Sequence, residues 1–182
     1  MKIGKLLLLA GILFFSSTLN AQILKGNWMM GGDATFYTNK DTYQELTFKA
    51  TGFGVSPNVG YFIIDKLAIG SSATLSYIIE DNSNTERTNN FNYGIGPFVR
   101  YYFLKPENTI NVFSEVSYYF EKVNQTDSKL NSIKIKAGAV YFLNSSVGLE
   151  VALNYLNQKA NNDMTNNAFF LGVGFQIHLE KE

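Results

Sequence analysis

FFLGVGFQIHL, residues Phe169–Leu179, alternates from end to end. Phe169, Leu171, Val173, Phe175, Ile177 and Leu179 are large and apolar; the even positions Gly172, Gly174, Gln176 and His178 are small or polar, Phe170 excepted. A period of two puts these sets on opposite faces of a β-strand, whereas a period near 3.6 would scatter the apolar set around a helix. The length fits a transmembrane strand, which needs roughly 9–11 residues when tilted by about 45°.

The same alternation recurs seven more times. Strand one runs about Gly26–Tyr37, two about Leu46–Ile63, three Leu67–Glu80 and four Phe91–Leu104. Strand five follows at Ile110–Glu121, six at about Asn131–Leu143, and seven from Val147 to about Tyr155. The connections alternate in character. Ile64-Asp65-Lys66, Lys105-Pro106-Glu107-Asn108 and Asn144-Ser145-Ser146 carry tight-turn chemistry. Thr38–Glu45, Asp81–Asn90, Asn124–Lys129 and Asn157–Asn167 are polar, and read as solvated loops. A meander of hairpins then places all long loops at one end, the pattern of outer-membrane barrels. The fold expected is all-β: an eight-stranded antiparallel up-and-down transmembrane β-barrel.

The chain opens MKIGKLLLLAGILFFSSTLNAQ. Lys2 and Lys5 precede an apolar core at Leu6–Phe15, and Asn20-Ala21 precede a cut before Gln22. This is the pattern of a secretory signal peptide over 1–21, too short in its apolar run for a spanning helix, and it leaves 22–182 as the barrel. Without the two leader lysines, 13 basic residues face 15 acidic ones, a net charge of −2. That balance does not support nucleic-acid binding. An exported chain with no cysteine forgoes disulfides, and a closed hydrogen-bonded barrel in lipid supplies the alternative.

An internal repeat supports the register. GVSPNVGYF at Gly54–Phe62 aligns with GIGPFVRYY at Gly94–Tyr102, and a further 40 residues lead from Tyr101 to Tyr141. Tyr61, Tyr101 and Tyr141 therefore end the down-going strands near the short turns, where an interfacial aromatic girdle belongs. Tyr77, Tyr118 and Tyr155 lie near the far ends of the up-going strands and form the second girdle.

Alternation does not say which face is inside. A secreted, lipocalin-like soluble barrel would turn the apolar face inward. Against it, the apolar set has no mid-strand charge, while the opposite set is rich in Gly, which weakens a solvent-facing strand. The opposite set also holds Asp33, Arg100, Glu115, Lys134, Lys136 and Glu150, three acids and three bases. Buried charges must pair, so these six read as a structural network inside the lumen, with Arg100 and Glu115 meeting diagonally. Phe98, Phe113, Tyr119 and Phe170 share that lumen, which reads as plugged rather than open. The competing reading is a narrow ion or solute channel along the same charges.

Catalysis finds little to work with. The single histidine, His178, faces the lumen at the short-turn end of the last strand, so no Ser–His–acid set can be assembled at the outer leaflet. With no cysteine and one histidine, neither a thiol nucleophile nor a zinc site is expected, and nothing in the sequence calls for a cofactor.

As a pattern of strands over the whole exported chain, the sequence resembles the outer-membrane β-barrel domain family, the small OmpA/OmpX-like eight-stranded barrels of Gram-negative bacteria. The resemblance implies a location in the cell outer membrane, contact with its lipid, and handling by the barrel-assembly machinery. It also implies that Gly174, Ile177 and Leu179 form the C-terminal signal which that machinery reads. The long loops would face outward toward a partner that their sequence does not name.

Overall fold

A computed structural model describes residues 23–43, 46–82, 85–124, 129–160 and 165–180. The leader over 1–21 lies outside the described residues. Eight strands follow one another: β1 (Trp28–Tyr43), β2 (Leu46–Ile64), β3 (Leu67–Asn82), β4 (Thr85–Tyr102), β5 (Ile110–Val123), β6 (Lys129–Phe142), β7 (Val147–Ala160) and β8 (Thr165–Leu179). Each pairs antiparallel with its neighbour in sequence, and β8 pairs back onto β1, so the barrel is closed.

The strands are longer than the polar runs suggest. β1 continues to Tyr43, β3 to Asn82 and β7 to Ala160, while β4 begins at Thr85 and β8 at Thr165. Most of Thr38–Glu45, Asp81–Asn90 and Asn157–Asn167 is therefore strand, not loop. The physical reason is that backbone pairing is indifferent to side-chain polarity, and these runs hold no Gly or Pro to interrupt a ladder. Polarity there marks the change of solvent, not the end of the strand. The asymmetry between the two ends is one of strand overhang, since the opposite end turns over the two residues Asp65-Lys66, over 103–109 and over 143–146. Lys66 turns with φ 69°, the left-handed conformation of so tight a reversal.

One rung of paired residues shows the stagger: Trp28, Tyr61, Ile69, Val99, Val116, Ile135, Tyr155 and Phe169. It begins at the short-turn end of β1 and arrives near the overhanging end of β8, so the strands tilt as closure requires. The repeat is visible in the ladder as well. Pro57 stays in register with Gly32 and Pro97 with Ser71, but pairing with the following strand skips Ser56 and Pro57 in one case and Gly96 and Pro97 in the other. Proline has no N–H to give, and both prolines face outward where that gap is tolerated.

The outer surface is apolar. Phe169 is 71% exposed, Leu171 67% and Val173 60%, and the odd positions of β2, β4, β6 and β7 with the even positions of β5 continue the belt around the barrel. The charges point inward. This is the inverse of a soluble barrel, and it removes the lipocalin-like alternative. The apolar core inside is small and sits toward the short-turn end, built on Ile23, Met29, Phe62, Phe98, Tyr102, Phe113 and Phe142.

Candidate functional site

The lumen gathers all six charges expected of it. Arg100, Glu115 and Lys136 stand side by side on one rung across β4, β5 and β6, alternating in sign. Arg100 and Glu115 are therefore directly opposed, not diagonal. The stagger of the closed barrel decides this, which counting residues from a turn cannot capture. Across the lumen, Asp33 on β1 and Glu150 on β7 flank Gly174 on β8, again on one rung. A Cβ at Gly174 would lie 2.6 Å from the Gly32 carbonyl oxygen and 3.2 Å from Asp33, so only glycine leaves the strands this close.

The two rungs face each other and their charges interlock. Arg100 donates from Nε to Glu115 Oε2 at 2.7 Å, from Nη2 to Glu150 Oε2 at 3.3 Å, and from Nη1 to Glu150 Oε1. Lys136 donates to Asp33 Oδ2 and stands 3.4 Å from Glu115 Oε1, while Lys134 stands 3.9 Å from Asp33 Oδ1. The result is one alternating chain: Glu150, Arg100, Glu115, Lys136, Asp33, Lys134. Removing these ions from water carries a large penalty, and opposite partners on both sides of each inner member offset it. Side chains that were not singled out from the sequence complete the network. The Tyr102 hydroxyl accepts from Arg100 at 3.2 Å, Ser117 donates to Glu115 at 3.2 Å, and Lys134 donates to Ser56 at 3.4 Å. Tyr102 and Ser117 share the inward parity of Arg100 and Glu115, so alternation alone marks them. The Arg100 guanidinium also lies 4.4 Å from the centroid of the Phe113 ring, where a cation is attracted to the aromatic face.

Below the chain, toward the short turns, the lumen is filled by rings. His178 is fully buried with ring centroids of Phe142 at 5.5 Å, Phe62 at 5.6 Å and Tyr102 at 6.1 Å. Neither ring nitrogen has a hydrogen-bond partner among the described residues, so no acid orients this imidazole and no hydroxyl addresses it. The segment preceding β1 crosses this end. The Ile23 carbonyl accepts from Lys66 N at 2.8 Å, Gly26 N donates to the Phe62 carbonyl at 2.9 Å, and the Ile23 side chain is buried. Gly26 makes that turn at φ 94°. Nothing in the alternation reveals the strap, because its contacts run to residues about 40 positions away. Toward the strand overhangs, by contrast, the lumen holds a cavity of about 600 Å³ that reaches down to Asp33 and Lys134.

On the outer face, Tyr61 packs edge-on against Trp28 with centroids 5.1 Å apart, and Tyr101 packs against Phe103 at 5.2 Å; Tyr141 is half exposed beside Ile110 and Leu149. Tyr118 meets Phe120 and Tyr155 meets Phe169 nearer the overhangs, where Tyr77 pairs in register with Phe53 and Phe91. Gly174, Ile177 and Leu179 lie in the β1–β8 seam opposite Asp33, Met30 and Trp28.

No protein-family model matches the chain, and no curated protein does. Solved structures do. The outer membrane protein OprG from Pseudomonas aeruginosa is 13% identical with a TM-score of 0.61, over 91% of this chain and 100% of its own. Neisserial surface protein A (NspA) is 16% identical with a TM-score of 0.54, over 84% of this chain and 97% of its own. At such identities the likeness is one of fold: a closed, antiparallel, eight-stranded β-barrel of the kind these small outer-membrane proteins adopt.

Proposed function

We propose that this chain is a non-enzymatic integral protein of the bacterial outer membrane, whose plugged barrel stabilises the envelope and presents its hairpin ends outside the cell. One observation carries the reading: the barrel is apolar outward and ionic inward, the arrangement that lipid outside and a self-paired lumen require. The two sets of outward tyrosines then serve as interfacial girdles. Gly174, Ile177 and Leu179 serve as the signal for the barrel-assembly machinery, on the strand that closes the seam with β1. A narrow channel is the second reading, favoured by the cavity that descends to Lys134.

Planar-bilayer recording on the refolded chain separates the two. A silent barrel is expected, since the rings around His178 and the Arg100–Glu115–Glu150 cluster fill the lower lumen. Steady conductance that changes on Glu115→Gln would replace the plug with a pore. Correct folding is checked beforehand by the different migration of heated and unheated samples on a gel.

A further inference from the structure

The cavity in the overhanging half of the lumen is walled by hydroxyl and amide groups and holds more acidic than basic charge. The six-membered chain beneath it is neutral by itself, yet Glu121 and Glu80 also line the cavity. Lys134 is the one basic residue among the described lining residues, and it is committed to Asp33 and Ser56. Glu121 lies along Gly94, the residue opposite it on β4, and accepts from Gln158 Nε2 at 3.3 Å. Asn92, diagonal to Glu121 across the same strand pair, is only 8% exposed, and its Oδ1 accepts no hydrogen bond from any described residue. Asp33 Oδ1, on the cavity floor, accepts no hydrogen bond either and has only the Lys134 ammonium at 3.9 Å. Buried oxygens without donors are costly, and here they share a cavity with surplus carboxylates.

We infer that this chamber binds a small organic amine in its ammonium form. An ammonium answers both features, since it offers three N–H donors to the unpaired oxygens and a positive charge to the carboxylates, and brings no acceptor. The Tyr119 and Phe170 rings in the wall add faces that attract a cation. An anion would meet Glu121 and Glu80. A neutral polyol would satisfy the oxygens and leave the charge. A chelated metal ion is disfavoured, because no group of three or more His, Cys, Asp or Glu gathers to hold one among the described residues. The inference concerns the folded barrel and does not depend on whether the lumen conducts.

The test is calorimetry on the exported chain, folded in a non-ionic detergent at low ionic strength, where charge attraction is least screened. The probe is 1,4-diaminobutane, with butane-1,4-diol and succinate as its neutral and doubly negative counterparts. Saturable binding of the diamine is expected, at least about tenfold tighter than the diol, with no binding of succinate. Glu121→Gln should weaken the diamine by about tenfold or more, and Glu80→Gln, at the exposed rim, by less. Both variants must still show the folded migration on an unheated gel. Absence of saturable diamine binding to the folded chain, equal affinity for diol, or an unchanged Glu121→Gln overturns the chamber. A chain that never folds in detergent would instead count against the membrane-barrel reading.

Discussion

Arg100 is the residue on which the interior turns. It is fully buried, holds two carboxylates and donates to Tyr102, so its loss strands the buried Glu150 and leaves Glu115 to Lys136 alone among the cations. Arg100→Met should destabilise the barrel by about 3–5 kcal/mol, the cost of leaving buried charge unpaired. Converting Glu150 as well, in Arg100→Met with Glu150→Gln, should recover most of that loss, because Glu115, Lys136, Asp33 and Lys134 still balance and neutral replacement of a buried pair is often tolerated. Urea unfolding in lipid vesicles reads both. A double variant no more stable than the single one would mean that the pair contributes more than mutual neutralisation.

β8 shows at the level of one element how two solvents are written into one strand. Thr165, Asn166 and Asn167 are exposed at its overhang, then Phe169, Leu171, Val173 and Phe175 form its outward apolar run. Val173 pairs with Ala34 and Val151 and lies between Leu171 and Phe175 in the middle of the outward apolar run. Val173→Arg should therefore cost roughly 2–4 kcal/mol in a bilayer, as a cation near the midplane does. Thr165→Arg, on the same strand and also outward, should change stability by about 0–1 kcal/mol, because it lies beyond the apolar belt. Folding yield into vesicles compares them. Equal tolerance of both would show that lipid does not cover the belt at Val173.

For the whole molecule, closure gives two unlike ends, and orientation in the membrane follows from which end crosses during assembly. The overhanging end should face outside and the short-turn end the periplasm. The chain has no cysteine, so single replacements report position cleanly. Thr88→Cys, exposed on the β4 overhang, should react with a membrane-impermeant maleimide on intact cells. Asn108→Cys, exposed in the connection before β5, should react only after the outer membrane is broken. The reverse pattern would invert the orientation and turn the cavity toward the periplasm.

The sequence by itself determined the strands, their faces and the identity of the six lumen charges. Each is a local property: a side chain's face follows from a period of two, and the solvent on that face selects apolar or polar residues. Strand ends are hidden from a local reading at Thr38–Glu45, Asp81–Asn90 and Asn157–Asn167, because polarity reports solvent while pairing is a backbone matter. Glu121 carries the inward parity of Glu115, so it too was open to reading. Only the tertiary structure decided which charges meet, since Arg100 faces Glu115 and reaches Glu150 through the stagger and closure of the barrel. The same holds for Ile23 across the short-turn end and for the cavity above Lys134. Both depend on residues far apart in the chain being brought to one height inside a ring, and no local pattern carries that height.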